Sequence, residues 1–141
     1  IEYNIRMGDP ECQAILPRLK TDLFSIIKNT IENKLNKTSI KWYGKKSMTI
    51  VLCSKGYPGK YKKNIEIRNL NKVTLSKSDC IYHAGTKLVN QRLVSNGGRV
   101  LNINSTGKKF TSIRKKILSI IRKINWKDGF YRKDIGWRVI D

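Results

Sequence analysis

The residues best suited to chemistry lie in the first twelve positions of the chain, IEYNIRMGDPEC. Glu2, Asn4 and Arg6 alternate there with apolar residues. If this stretch is a β-strand, one of its faces presents a carboxylate, a carboxamide and a guanidinium in a row. Carboxylate and amide oxygens are hard ligands that suit Mg²⁺, and arginine binds phosphate or carboxylate oxygens. The pattern therefore predicts a metal and phosphate site, although an ordinary edge strand with a solvated polar face shows the same alternation.

The composition limits the possible partners. Thirty Lys and Arg residues stand against ten Asp and Glu residues, which gives a net charge of +20 over 141 residues. Such a charge is typical of proteins that bind nucleic acid or an anionic surface. The basic residues are spread along the whole chain, however, together with many Asn and Ile residues. This distribution favours a bias of the coding sequence, so we do not expect nucleic acid to be the main partner.

The cysteine count and the hydropathy point to a cytoplasmic protein. The chain has three cysteines, one histidine and no C-x-x-C pair, so a zinc-finger spacing is excluded. A sparse, odd number of cysteines fits a reducing compartment. No apolar run approaches the roughly 20 residues that span a bilayer, so no membrane is expected. Because the chain begins with Ile inside a functional stretch, we expect it to be the C-terminal part of a longer protein.

Apolar periodicity predicts three helices. Residues 11–20 form a short helix that Pro17 limits. A second helix begins near residues 21–22 and carries apolar residues at four-residue intervals as far as Leu35, so we expect it to pack on a core. The third helix spans roughly 109–124 and is amphipathic and basic.

Short β-branched and apolar runs predict the strands of a sheet. The expected strands are 47–53, which reads as a buried central strand, and 64–68, 81–84, 92–95 and 99–104. Asn96-Gly97-Gly98 separates the last two. Because Asn-Gly between apolar runs favours a tight turn, we expect a β-hairpin there.

Six segments together resemble one enzyme family. They are E-x-N-x-R-x-G-D-P-E-x-Q (2–13), L-P-R-L-K-T-D-L (16–23), S-K-G-Y-P-G (54–59), H-A-G-T (83–86), N-G-G-R-V-L (96–101) and Y-R-K-D-I-G-W-R (131–138). In this order and at these spacings they are similar to the C-terminal part of phosphoribosylamine–glycine ligases, which belong to the ATP-grasp superfamily. The resemblance covers essentially the whole chain.

The resemblance implies a reaction of purine biosynthesis. ATP phosphorylates the carboxylate of glycine, and the amine of 5-phosphoribosylamine then attacks the acyl phosphate to give glycinamide ribonucleotide, ADP and phosphate. The implied cofactor is Mg²⁺ or Mn²⁺, with ATP as co-substrate. The implied partners are the two substrates and the remaining N-terminal part of the same ligase. Without that part, we expect the chain to be inactive.

The resemblance also implies roles for residues near the N-terminus. Glu2 and Asn4 would be the metal ligands. Arg6 would be the catalytic residue that steadies the transferred phosphoryl group or the acyl phosphate. Asp9 and Glu11 would bind the ammonium group of glycine.

Further substrate contacts are expected in the second half of the chain. Gly97 and Gly98 would let backbone N–H groups approach a phosphate closely, and Arg99 would add charge. A plain hairpin turn is the alternative for these glycines. His83 would lie near phosphoribosylamine, although a lone histidine can equally be structural.

The expected fold is α+β. Residues 1–36 would be the end of an ATP-grasp lobe, and residues 37–141 would be a domain with a small, mostly antiparallel sheet on which the 109–124 helix packs. Two alternatives remain open. One is another ATP-grasp ligase, because biotin carboxylase-like enzymes resemble the E-x-N-x-R run. The other is a basic RNA-binding module, for which RNA affinity should fall steeply with salt.

Overall fold

The computed structural model describes residues 4–140, which form an α+β fold, as predicted. The helices are α1 (Glu11–Ile15), α2 (Leu23–Ile31) and α3 (Phe110–Lys123). The strands are β1 (Lys46–Ser54), β2 (Asp79–His83), β3 (Thr86–Val89), β4 (Arg92–Ser95), β5 (Arg99–Gly107) and β6 (Gly129–Phe130). A 3-10 turn over Leu16–Arg18 follows α1. The α-helix ends just before Pro17, which lies in that turn. The prediction of a short first helix limited by this proline is therefore confirmed.

The main sheet has four antiparallel strands in the order β2-β5-β1-β6. β1 and β5 pair over almost their full length, from Lys46 opposite Gly107 to Cys53 opposite Arg99. β3 and β4 form a separate two-stranded sheet. The prediction of a central strand over 47–53 is therefore confirmed, because β1 lies between β5 and β6.

The hydrophobic core lies between this sheet and α3. Ile113 and Ile117 lie one helical turn apart on α3 and are almost fully buried, because residues four apart share one face of a helix. Alternate residues of the strands meet them, because a strand presents every second side chain to the same face. These strand residues are Met48, Ile50, Leu52, Leu101 and Ile103. The predicted third helix and its packing on a sheet are confirmed.

The second helix is capped as predicted but does not pack as predicted. The Asp22 carboxylate accepts a hydrogen bond from the backbone N–H of Ser25 at 2.8 Å, which caps the start of α2. Phe24 and Ile31, however, are 72% and 76% exposed, and the core cluster contains no residue of α2. The expectation that its apolar stripe packs on a core is wrong for residues 4–140, because none of their elements covers that stripe.

The predicted N-terminal strand is not found where the structure describes it. Residues 1–3, including Glu2, lie outside the described residues. Asn4–Met7 forms a bend rather than a strand, and the Ile5 side chain is exposed instead of buried. A strand is held by hydrogen bonds to a neighbour, and no strand among residues 4–140 pairs with this segment.

The prediction of a hairpin at Asn96–Gly98 is also wrong. This segment joins β4, which pairs with β3, to β5, which pairs with β1 and β2. The two-residue hairpin turn lies instead at Asn90 and Gln91, with φ of 47° and 62°. Both residues adopt the left-handed conformation that such turns require. Asn-Gln was missed because it lacks the glycine that usually marks this turn.

The predicted strand over 64–68 reduces to isolated bridges. Glu66 pairs with Val94 and Arg68 pairs with Asn125, and Ile67 between them is buried.

Within residues 4–140, no helix has the length and apolar character needed to cross a membrane.

Candidate functional site

The two faces of the four-stranded sheet differ in chemistry. On β5, Leu101 and Ile103 belong to the core under α3, and Asn102 and Asn104 alternate with them. The two asparagines are only 0% and 1% exposed because the N-terminal segment and α1 lie over this second face. We call it the polar face. Buried carboxamides need hydrogen-bond partners, so this face holds a polar network.

A β-bulge places Arg99 on the polar face. Leu52 pairs with Leu101, but Cys53 pairs with Arg99, so β5 has one extra residue, Val100, at this point. Paired residues of antiparallel strands share a face, and Cys53 is on the face opposite to Leu52. Regular alternation from Leu101 would place Arg99 on the core side. The extra residue reverses the alternation of side chains between the two faces of β5, so Arg99 points towards the polar face.

Asp9 is the acceptor at the centre of this network. Its Oδ1 accepts hydrogen bonds from Nδ2 of Asn102 at 2.7 Å and from Nε2 of Gln13 at 2.8 Å. Its Oδ2 lies 3.3 Å from Nε of Arg99, and Nη1 of Arg99 donates to the Asp9 carbonyl oxygen. We call Asp9, Gln13, Arg99 and Asn102 the Asp9 clasp. It joins two predicted site residues, Asp9 and Arg99, that are 90 positions apart.

Arg6 and Glu11 lie close to the Asp9 clasp, on either side of Gly8. The Glu11 carboxylate accepts a hydrogen bond from the Gly8 backbone N–H at 2.9 Å. A Cβ atom at Gly8 would lie 3.1 Å from Glu11 Oε2 and 3.9 Å from Arg6 Nη1, so both side chains end near this glycine. Arg6 is exposed, and its Nη1 donates to the carbonyl oxygen of Met7 at 3.3 Å. Its guanidinium is therefore accessible to an anion.

Gly97 and Gly98 lie next to Arg99 at a crowded junction. A Cβ atom at Gly97 would lie 2.9 Å from Cα of Gly85, and one at Gly98 would lie 2.1 Å from Cδ2 of Tyr57. Ser54 ties both glycines to the end of β1, since it donates its hydroxyl to the Gly97 carbonyl and its N–H to the Gly98 carbonyl, each at 2.8 Å. Packing alone therefore explains the absence of side chains at both positions. Their predicted contact with a phosphate stays a prediction.

His83 does not join the Asp9 clasp. It pairs with Leu101 at the end of β2, which places it on the core side of the sheet. The side chain is exposed there, and Nδ1 lies 3.0 Å from Oγ1 of Thr86. Its predicted contact with phosphoribosylamine also stays a prediction.

Two weak acids on the polar face remain protonated at neutral pH. Burial, followed by a hydrogen bond with Cys80, raises the pKa of Tyr82 to about 12. Burial also raises the pKa of the Cys53 thiol, against the opposing effect of Arg99. Neither group therefore adds negative charge beside Asp9.

The predicted metal ligands can be judged by their donor chemistry. Glu2 lies outside the described residues, and Asn4 is exposed. Residues 4–140 contain no group of three or more His, Cys, Asp and Glu residues that could hold a metal ion. One carboxylate and one amide oxygen fit Mg²⁺, which usually takes its other ligands from phosphates and water.

The sequence reasoning missed Asn102, and it treated Gln13 only as part of a helix face and of the N-terminal motif. A signal for Asn102 was present, because Asn102 and Asn104 alternate with Leu101 and Ile103 inside an otherwise apolar run. Polar residues at every second position of a buried strand indicate a buried polar face. What covers that face depends on a segment some 90 positions away, which periodicity does not reveal.

Comparison with known proteins identifies relatives of the chain. The family model for the phosphoribosylglycinamide synthetase C domain matches residues 47–138. A phosphoribosylamine–glycine ligase from Agrobacterium fabrum is 43% identical over 140 residues, which is 99% of this chain and 33% of the relative. A chloroplastic one from Arabidopsis thaliana is 39% identical over 99% of this chain and 27% of its own length. The chain thus spans about a third of the length of these relatives, or less.

A solved structure shows the same fold. The crystal structure of a phosphoribosylamine–glycine ligase from Thermotoga maritima aligns with a TM-score of 0.70 at 29% identity. The alignment covers 95% of this chain and 32% of the ligase.

Proposed function

Since the chain belongs to the phosphoribosylglycinamide synthetase C-domain family, we propose that it is part of an ATP-dependent ligase that joins glycine to 5-phosphoribosylamine. The product is glycinamide ribonucleotide, an intermediate of purine biosynthesis. Glycine, 5-phosphoribosylamine and ATP are its substrates.

The observation that carries this proposal is the contact between Asp9 and Arg99. Asp9 belongs to the N-terminal motif and Arg99 to the N-G-G-R-V-L segment. Each motif predicts a substrate-binding residue, and the two side chains lie 3.3 Å apart. A site that holds two substrates for one reaction needs groups from distant segments in fixed positions. The Asp9 clasp supplies that arrangement.

We assign roles to the groups around the clasp on this basis. Arg6, whose guanidinium is accessible, stabilises negative charge on the transferred phosphoryl group. Asp9 and Glu11 bind the ammonium group of glycine. Arg99, beside Gly97 and Gly98, attracts the phosphate of phosphoribosylamine.

Glu2 and Asn4 complete the site as the ligands of Mg²⁺ or Mn²⁺. When bound, the ion neutralises charge on the phosphate oxygens of ATP.

The chain acts together with the rest of the ligase. We propose that residues 1–36 complete an ATP-grasp lobe and that residues 37–141 form the C-terminal domain. The exposed apolar side chains of α2 support this division, since Phe24 and Ile31 are more than two-thirds exposed here and would be buried by the remaining lobe. Adenine and the upstream phosphates of ATP bind to that lobe.

We place the ligase in the cytoplasm. Cys12, Cys53 and Cys80 are all free thiols, although each is partly buried. Unpaired cysteines are usual in a reducing compartment.

The test is ADP release by the full-length protein, with each substrate omitted in turn. We expect release to require both glycine and phosphoribosylamine, and to be lost in Glu2→Ala and Asn4→Ala. Activity that survives in both variants overturns the metal assignment. If a folded wild-type protein releases no ADP, the ligase function itself is refuted, and an RNA titration at increasing salt is the next experiment.

A further inference from the structure

A cavity of about 480 Å³ lies at the loop that follows β1, and three lysines line it. They are Lys55, Lys60 and Lys62, and the other lining residues are Tyr61 and Asp128. This volume falls within the range of small-molecule sites. With Asp128 ionised, the lining carries three positive charges and one negative charge, which is a net charge of +2. We call this cavity the lysine cleft.

The three lysines of the cleft are available to a ligand. Their side chains are exposed. Among residues 4–140, none of the three takes part in an ion pair, and Asp128 does not either. A lysine ammonium group without an acidic partner attracts anions, and lysine binds phosphate as a point charge. The cleft therefore favours a ligand with negative charge.

The backbone around the cleft is held in place before a ligand binds. Gly56 has a φ of 98°, and a Cβ atom there would lie 2.2 Å from the carbonyl oxygen of Lys60, so the loop folds back on itself. Lys55 donates its N–H to the carbonyl oxygen of Asp128 at 2.8 Å, which joins the loop to the segment before β6. The positions from which the lysines project are therefore fixed by the loop.

The lysine cleft adjoins the segment that leads into Arg99. Ser54, the last residue of β1, donates its N–H to the Gly98 carbonyl at 2.8 Å. Tyr57 packs against the same glycine, since a Cβ atom at Gly98 would lie 2.1 Å from Cδ2 of Tyr57. The rings of Tyr57 and Tyr61 meet edge to face, with centroids 6.2 Å apart. A single tyrosine thus separates Gly98 from a residue that lines the cleft.

Arg99 alone does not balance the charge of a phosphate group. Its Nε lies 3.3 Å from Oδ2 of Asp9, and its Nη1 donates to the Asp9 carbonyl oxygen, so its charge is already matched by a carboxylate. A phosphate monoester carries a charge of about −1.5 to −2 at pH 7. The net charge of the cleft lining matches that of such a group. Further cations are therefore needed near Arg99, and the cleft supplies them.

We propose that the lysine cleft holds the phosphate group of phosphoribosylamine, while Arg99 attracts it from the side of the Asp9 clasp. This inference rests on the proposed ligase function. It adds Lys55, Lys60 and Lys62 to the substrate site, and the motifs assigned a role to none of them. The phosphate is the part of this substrate that does not react. Holding it fixes the orientation of the amine, which must approach the acyl phosphate of glycine.

The experiment measures ADP release by the full-length ligase with Lys60→Met and Lys62→Met. Both side chains are exposed, so neither substitution disturbs the core. In each variant we expect the KM for phosphoribosylamine to rise about 3- to 10-fold, between the effects of an exposed ion pair and of a hydrogen bond to a charged group. The kcat and the KM values for glycine and ATP should not change, because the lysines bind a part of one substrate that takes no part in the reaction.

Lys127→Met is the matched control. Lys127 is exposed and precedes Asp128 in the chain, but it does not line the cleft. The substitution removes the same charge from the same region of the surface. Its KM for phosphoribosylamine should therefore equal that of the wild type.

Ribose 5-phosphate and ribose separate the phosphate group from the rest of the substrate. We expect ribose 5-phosphate to compete with phosphoribosylamine, and ribose at the same concentration to have no effect. The inhibition constant of ribose 5-phosphate should rise in Lys60→Met and Lys62→Met by the same factor as the KM. A matched rise identifies the phosphate as the group that the lysines hold.

An active wild type with an unchanged KM for phosphoribosylamine in both variants would overturn this inference and leave the ligase function standing. A rise in the KM for ATP instead would also overturn it, because the cleft would then serve a nucleotide phosphate. An equal rise in Lys127→Met would show a general effect of surface charge, with the same consequence. A wild type that releases no ADP with both substrates refutes the ligase function itself, and this inference with it.

Discussion

Asp79 is a buried carboxylate on the core side of the sheet. Its side chain is only 3% exposed and lies 3.3 Å from Nζ of Lys116 on α3. It also accepts hydrogen bonds from the Ser76 hydroxyl and from the Ser105 hydroxyl, each at 2.7 Å. Burial alone would raise the pKa of Asp79, but these hydrogen bonds outweigh burial and lower it below the ordinary value. The ionised form therefore stabilises the junction of β2 with α3.

Asp79→Asn should lower the free energy of unfolding by about 1–3 kcal/mol at pH 7, because charged hydrogen bonds are lost in a buried place. The pKa of Asp79 is depressed in the folded state. Its contribution is therefore complete above the unfolded-state value of about 4 and is lost as pH falls through the folded-state value. Urea unfolding between neutral and acid pH should show the difference between wild type and variant shrinking in that range. Asp134→Asn is the control.

Asp134 is also ionised beside an arginine, Arg132, at 2.6 Å, but both side chains are largely exposed. Exposed ion pairs contribute little, so Asp134→Asn should have a small effect at every pH. Equal effects of the two substitutions would contradict the role assigned to burial at Asp79.

At the scale of the elements, the connection between β4 and β5 builds the site. It carries the chain from the two-stranded sheet to the four-stranded sheet, and the bulge at Val100 then turns Arg99 towards Asp9. Gly85 and Gly97 let the two backbones approach each other here, since a Cβ atom at Gly85 would lie 2.6 Å from Cα of Gly97. The neighbours are backbone atoms, which cannot rotate away as the end of a side chain can.

Gly85→Ala should therefore destabilise the chain by about 1–3 kcal/mol, the usual cost of overpacking. Gly44→Ala is the matched control, because a Cβ atom at Gly44 would meet no atom within 4 Å. Its effect should stay within about 0.5 kcal/mol. Urea unfolding at neutral pH measures both. Comparable stabilities for the two variants would contradict the close contact at Gly85.

The elements that the sequence predicts well are those whose signal is local. The four-residue spacing of isoleucines defines α3, Asp22 marks the start of α2, and the apolar run of β1 marks a central strand. The failures depend on distant partners. The Asn-Gly pair at 96–97 fits a hairpin, yet β4 pairs with β3, so the turn signal was overridden by sheet pairing.

The same difference between local signals and distant partners applies to the candidate site. The resemblance of short motifs named Asp9 and Arg99, but it gave no reason to place them together. Asn102 was not named, although it and Asn104 stand at alternate positions in an otherwise apolar run, because that pattern indicates a buried polar face and not the distant segment that covers it. The bulge at Val100 could not be predicted from the sequence either, since a bulge is defined by the register of the partner strand.

At the scale of the whole molecule, the apolar face of α2 is uncovered by the other elements of residues 4–140. Leu23, Phe24, Ile27 and Ile31 are all exposed. Monomeric proteins rarely leave a contiguous apolar surface of this kind uncovered. The lobe proposed to bind ATP is its expected partner.

Phe24→Ser should change the free energy of unfolding of this chain by no more than about 0.5 kcal/mol, because the side chain contributes little to its core. The buried Ile117 gives the contrast, and Ile117→Ala should cost about 2–5 kcal/mol. In the full-length ligase, Phe24→Ser should become clearly destabilising. The chain and the full-length protein are compared by urea unfolding. An equally small effect in both would show that α2 is not covered by the proposed lobe.

The central claim is that the Asp9 clasp belongs to the ligase site, and ADP release by the full-length protein with Arg99→Met tests it most directly. Arg122→Met is the control, since Arg122 is an exposed arginine on α3, on the opposite side of the sheet. We predict that Arg99→Met lowers kcat/KM at least about 100-fold, as the loss of one charge-stabilising donor does. Arg122→Met should keep wild-type activity. Wild-type activity in Arg99→Met, with the protein folded, would contradict the account.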